Sequence, residues 1–196
     1  MKKLYLVLAA VLLATGLSFA QVNVGGHAAV NFSTLWGDAA DDAPWGLGFA
    51  AGVAAKVPVN PMISVAPEVD IDLRRQSDDD VTWSTWALEI PILARINVAP
   101  QIFIEVGPQL GFLLSSKVEH DFGATTTTTD LGDAKVLNTF EFGIDVGAGY
   151  AVMPNLDVNF RFALGLTSIV DGKKYIGSDD PAKNMQLQLG ATYWFM

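Results

Sequence analysis

Between residues 22 and 195 the chain repeats one pattern eight times: a large apolar side chain at every second position, with glycine, alanine or a polar group between. Trp45, Leu47, Phe49, Ala51, Val53, Ala55 and Val57 form one such row, and Gly46, Gly48, Ala50, Gly52, Ala54 and Lys56 the row between. Alternate side chains of an extended strand point to opposite faces, so each segment predicts a strand with one bulky apolar face and one small or polar face. The other segments lie at about 22–34, 63–74, 88–97, 102–114, 140–150, 156–166 and 186–195. Eight strands of this kind predict an all-β chain.

The connections alternate as well. Short turns fall near Val59-Asn60-Pro61, Ala99-Pro100 and Pro154-Asn155, and longer polar segments at about 36–44, 75–81, 116–136 and 169–183. Three short and four long connections suit an up-and-down arrangement with both termini on the short-turn side. Transmembrane barrels have this asymmetry, and only closure satisfies every strand edge in lipid. The expected fold is therefore a closed antiparallel eight-stranded up-and-down transmembrane β-barrel over residues 21–196. A soluble, lipocalin-like carrier with the apolar rows turned inward is the competing reading. Its polar row would meet water and carry many lysines, glutamates and threonines. Here that row is rich in glycine and alanine, and only 17% of the chain is charged. An eight-stranded barrel has an interior just wide enough for side chains to fill, which suits small residues and paired charges.

Ahead of the first strand, Lys2 and Lys3, the apolar run Leu4 to Leu13 and Ser18-Phe19-Ala20 read as a signal peptide over residues 1–20. Beyond it no run is long and apolar enough for a membrane-crossing helix. The formal charge of −9 falls to −11 without Lys2 and Lys3. That balance argues against a nucleic-acid partner, which requires a basic surface. There is no cysteine, hence no disulfide, thiolate metal site or acylated N-terminal cysteine.

The inward rows supply the candidate site. They carry Glu68, Asp70, Asp72, Glu89, Glu105, Glu141, Asp145 and Asp157, with Lys56, Arg74, Arg95 and Arg161 as cations. Charges taken from water must pair or neutralise. Either they form an ion-pair network that plugs the barrel, or the acid excess lines a small cation-preferring pore. A membrane-interface set of aromatics is expected from Trp36, Trp45, Trp83, Trp86, Tyr193, Trp194 and Phe195, which gather near strand ends. His27 falls on an inward row and His120 in a long connection. No G-x-S-x-G or similar nucleophile motif accompanies them, so no catalytic residue is assigned. The acidic loop residues Asp38, Asp41, Asp42, Asp78, Asp79, Asp80, Asp179 and Asp180 match no EF-hand spacing and read as solvated loops. No cofactor and no metal is expected. Thr125 to Thr129 reads as a β extension of the barrel or a loop tip. Pro91 and Pro108 cannot donate to a ladder, and are expected at bulges or bends.

Several runs resemble a known family. Leu88-Glu89-Ile90-Pro91-Ile92-Leu93 is similar to the LEIPLL-type motif of the porin-like outer-membrane β-barrel family (the PorT-like group). Gly107-Pro108-Gln109-Leu110-Gly111-Phe112-Leu113-Leu114 resembles its next-strand motif. Phe142-Gly143, Gly147-Ala148-Gly149-Tyr150, Arg161 and Leu164-Gly165-Leu166 continue the likeness. Leu189-Gly190 with Tyr193 and Phe195 resembles the last-strand signal read by the barrel-assembly machinery. The resemblance implies export, insertion by that machinery and residence as a monomer in the lipid of a Gram-negative outer membrane. The function expected is non-enzymatic: a mostly plugged, porin-like barrel, structural or binding a ligand or partner through its extracellular loops.

Overall fold

The computed structural model describes residues 22–38, 40, 43–78, 81–121, 126–130, 138–169 and 181–195. The expected signal peptide, Asp41, Asp42, Asp79, Asp80, Thr125, Asp179 and Asp180 lie outside them. Among these described residues nine strands follow in order: β1 (Asn23–Trp36), β2 (Gly46–Pro58), β3 (Ile63–Asp78), β4 (Val81–Asn97), β5 (Ile102–Asp121), β6 (Thr126–Asp130), β7 (Phe140–Met153), β8 (Leu156–Gly165) and β9 (Lys183–Phe195). Each of the eight longer strands pairs antiparallel with its neighbours, and β9 returns to β1 through Val24↔Phe195 to Trp36↔Lys183. The sheet is thus a closed eight-stranded barrel. β6 is a ninth, short strand laid on the outer end of β5, pairing Lys117↔Asp130 to Asp121↔Thr126.

The alternation decides which way each row faces. Phe49, Val53, Val69, Ile71, Val146 and Phe160 are all more than 40% exposed, while Ala50, Ala54, Glu68, Asp70, Asp145 and Arg161 alternate with them and are buried. The apolar rows therefore form the outer belt and the polar rows the core, the inverse of a lipocalin-like carrier. Some large apolar side chains among the described residues break this rule. Leu93 and Phe103 point inward and are almost fully buried.

Two of the long connections are shorter than the polar segments suggested, because β3, β4 and β5 run on into them. Residues 75–78 extend β3, residues 81–87 begin β4, and residues 115–121 extend β5. At about 3.3 Å per residue and a tilt near 40°, the 20 residues of β5 rise about 50 Å, against an apolar band of about 25 Å. The β8 strand, with 10 residues, covers only that band. The wall made by β3, β4 and β5 thus projects well past the rest, and β6 widens its tip.

The ladders shift register at two places, neither of them at a proline. Trp86 pairs with Ser115 and Ala87 with Leu113, which leaves Leu114 as an extra residue in β5. The second shift lies between Ala151 and Met153, beside the Pro154-Asn155 turn. Pro91 pairs in register with Gln109, and Pro108 with Ile144. No bulge therefore falls at either proline, yet pairing lapses without a change of register between Pro67↔Ile92 and Asp70↔Glu89 and between Pro91↔Gln109 and Ala94↔Val106, where Pro91 and Pro108 lack an N–H; the two register shifts come from an inserted residue instead. The Leu114 insertion reverses the facing of β5 beyond it. Gln109 and Gly111 face inward before the bulge, and Ser116 faces inward after it, 2% exposed and hydrogen-bonded to Thr85 Oγ1 at 3.0 Å.

Candidate functional site

The inward rows meet in the lumen in three tiers, each organised by one arginine. Nearest the short turns, Arg95 Nη1 donates to Asp157 Oδ2 at 2.7 Å and lies 3.9 Å from Glu105 Oε1. Its guanidinium carbon sits 3.4 Å from the centre of the Phe103 ring. Phe103 reaches this position because Gly149, across the ladder, has no side chain. A Cβ there would collide with the Phe103 ring. In the middle tier Arg161 forks onto Glu68, with Nη1–Oε2 at 2.8 Å and Nη2–Oε1 at 3.0 Å, and reaches Glu105 Oε2 at 3.4 Å. Towards the long connections, Arg74 donates from Nη1 to Glu141 at 2.7 Å, from Nε to Asp72 at 3.1 Å, and from Nη2 to Glu89.

Neutral amides complete these tiers. Asn31 and Gln186 donate to Asp72, Asn184 to Glu141 and Asn159 to Glu105. Charge-assisted bonds of this kind are shorter and stronger than neutral ones, and a planar guanidinium matches two carboxylate oxygens at once. Beside Arg74 a cavity of about 20 Å³ remains, room for a single water. The short-turn mouth is wider, with a cavity of about 480 Å³ whose walls include Lys56, Arg95, Phe103 and Asp157. Among the described residues the space in the lumen is thus narrow beside Arg74 and widens at the short-turn mouth.

The expected lumen residues Glu68, Asp70, Glu89, Arg95, Glu105, Glu141, Asp145 and Arg161 are all buried in the barrel. Lys56 is half-buried at the mouth, its Nζ 4.4 Å from the centre of the Trp194 ring. Asp145 stands apart: it is 1% exposed, yet neither carboxylate oxygen has a hydrogen-bond partner. His27 donates or accepts at Nδ1 with both Asp70 oxygens, each at 3.2 Å.

The expected aromatic set divides. Trp45, Trp86, Tyr193 and Phe195 face outward and are exposed, with Trp86 edge-on to Phe49 and Tyr193 edge-on to Phe195. Trp36 lies under Lys183 Nζ and donates to the Asn184 carbonyl. Two members are corrections. Trp194 is 4% exposed and donates its indole N–H to Asp157 Oδ2 at 2.6 Å, so it belongs to the lumen. Trp83 shares the row of Thr85 and donates to Ser116 Oγ at 2.5 Å, over the inside of the long-connection mouth. Both sit at strand ends, which made them look like girdle residues. Parity held the better signal, since Trp194 follows Gln186, Gln188 and Gly190 at even spacing. The same parity, which puts Phe103 with Glu105 and Leu93 with Arg95, was the signal for these two inward apolar side chains missed from sequence.

A family model described as outer membrane protein beta-barrel domain matches residues 19–171. No curated protein matches. Among solved structures, Neisserial surface protein A is similar with a TM-score of 0.55 and 14% identity, over 88% of this chain and 97% of that one. The attachment invasion locus protein Ail of Yersinia pestis aligns with a TM-score of 0.49 and 13% identity, over 88% and 98%. At these identities the first likeness concerns the fold.

Proposed function

Since the chain belongs to the outer membrane beta-barrel domain family, we propose that it works as a closed, non-conducting and non-enzymatic barrel that carries a projecting β-wall outside the cell to bind a partner. The observation that carries this reading is the continuous stack of arginine-centred tiers across the lumen. An ion crossing the barrel would have to displace the Arg161–Glu68 fork and the four-residue cluster around Arg74, all of them buried side chains. Removing one partner of such a buried pair is strongly unfavourable, so the stack resists opening.

The projecting part of β3, β4, β5 and β6 supports the binding role. It lies beyond the apolar belt, and Arg75, Ser77, Lys117 and Glu119 on it are exposed. In transmembrane barrels the longer connections face the outside, which sets the wall on the extracellular side and the short-turn mouth on the periplasmic side. The Leu88–Leu93 and Gly107–Leu114 motifs support placing the chain in the PorT-like group of that family. Export by residues 1–20, insertion through the β9 signal by the barrel-assembly machinery and a monomeric state in lipid belong to the same proposal.

Reconstitution of the pure protein in a planar bilayer tests it. No unitary current steps are expected, and stable ion-selective steps would overturn the plugged reading. The second reading, a cation-preferring pore, has one observation in its favour: eight buried carboxylates face three arginines and Lys56. In that case Glu105→Lys or Glu141→Lys would change the ion selectivity of the current.

A further inference from the structure

We propose that His27, Glu68 and Asp70 form a site for one divalent transition-metal cation, of which zinc is the type, inside the barrel between β1 and β3. The three are buried, and one ligand atom from each lies within 4.8 Å of the others. The site is built by register. His27 pairs with Gly52, and Gly52 pairs with Asp70, so the glycine between them leaves the imidazole and the carboxylate facing each other. Gly190 gives the ring its room on the other side, because a Cβ there would press on His27 Nε2 and on Asn159 Oδ1.

The spacing suits a metal. At a metal–ligand distance near 2.1 Å, two tetrahedral ligands stand about 3.4 Å apart. His27 Nδ1 and Asp70 Oδ1 are 3.2 Å apart, and Nδ1 and Glu68 Oε2 are 4.0 Å apart. A closing movement of about 0.6 Å by the Glu68 side chain would bring Oε2 to that spacing from Nδ1. Arg161 uses one lone pair on each Glu68 oxygen, and a carboxylate has about four, so Oε2 can still ligate. One imidazole nitrogen with two carboxylate oxygens is a donor set for zinc or a neighbouring first-row ion, with water filling the open position. His27 Nε2 has no protein hydrogen-bond partner, so in a ring that ligates through Nδ1 its N–H would be left to a water.

Charge supplies the independent argument. Glu68 and Glu105 share the guanidinium of Arg161, Asp70 faces His27, and both Asp145 oxygens are unpartnered although the residue is 1% exposed. A dication next to Glu68 and Asp70 would offset two of the surplus negative charges, where a low dielectric makes each uncompensated one costly.

The test uses the mature barrel, refolded in detergent with and without zinc, desalted and analysed for bound metal, with folding verified by the shift in gel mobility between unheated and boiled samples. One retained zinc per folded barrel is expected, falling at least tenfold in His27→Ala and in His27→Gln and unchanged in His120→Ala. In the wild-type chain, cobalt(II) should in addition perturb the ring resonances of His27, a readout that needs no variant to fold. Folded wild-type barrel without stoichiometric zinc, metal kept by both His27 variants, or His27 resonances indifferent to cobalt would each overturn the proposal. The outcome is separate from the conductance test, since a plugged barrel can hold or lack the ion.

Discussion

Replacing Arg161 by methionine is the sharpest perturbation of the tiered lumen. The variant keeps much of the side-chain volume and removes two hydrogen bonds to Glu68, at 2.8 and 3.0 Å, and a third at 3.4 Å to Glu105. Glu68 is then left buried without its guanidinium, while Glu105 keeps Arg95, 3.9 Å away. Breaking a buried pair on one side costs about 3–5 kcal/mol. There is also a ceiling, because the orphaned carboxyl can take up a proton instead. From a reference value of about 4.3, neutralising one glutamate at pH 7 costs about 3.7 kcal/mol. The two figures agree on a loss of about 3–4 kcal/mol at pH 7. The ceiling falls by about 1.4 kcal/mol per pH unit, so the penalty of the variant should shrink as the pH is lowered towards 4.3. Reversible urea unfolding of the barrel in lipid vesicles, followed by tryptophan emission and by gel mobility, measures both effects. Arg161→Met with Glu68→Leu should recover part of the loss, since an apolar pair in place of an ion pair is often neutral or stabilising. A single-variant loss below about 1 kcal/mol, or a penalty independent of pH, would refute the argument that the fork neutralises buried carboxylates.

Other consequences are open to simpler measurements. In a chain whose one tryptophan is Trp194, brominated lipid should leave the emission nearly unquenched, whereas a chain retaining Trp45 alone should be quenched strongly; equal quenching would return Trp194 to the interface. Trp194→Phe keeps the ring under Lys56 but abandons Asp157 Oδ2, and urea unfolding should show a loss of about 1–3 kcal/mol. Gly149→Ala drives a methyl group into the Phe103 ring and should destabilise the barrel by about 1–3 kcal/mol, with partial rescue by Phe103→Leu; an unchanged unfolding midpoint would mean that the ring has space to move. Deleting Leu114 removes the bulge but leaves Ser115 opposite Trp86 and Ser116 opposite Thr85, so the faces of the strand beyond it are kept. The barrel should still show heat-shifted mobility and unchanged protease resistance there, and a sharp rise in cutting would mean that the bulge itself holds the end of β5.

The sequence by itself determined the number of barrel strands and the direction each row faces. Both follow from a local fact: successive side chains of a strand point opposite ways, so a row of Phe49, Val53 and Val57 beside Gly48, Gly52 and Lys56 carries its own assignment. It also placed nearly all the buried charges, because any polar residue of the right parity must enter the core. Strand ends were less legible. Arg75 to Asp78 and Ser115 to Asp121 are polar on both faces once they leave the apolar belt, so period two has nothing to contrast.

Only the tertiary structure decided which charges meet. Arg74 finds Glu141 across 67 residues, and Arg161 finds Glu68 across 93. Those meetings depend on the tilt and stagger with which eight strands close, and no single strand encodes the stagger. Closure likewise turned Trp194 onto Asp157, seated Phe103 against Gly149 beneath Arg95, and brought His27 to Asp70 over Gly52. The alternation is a property of the backbone at each residue, whereas the network belongs to the shear of the whole barrel, which exists only once β9 has joined β1.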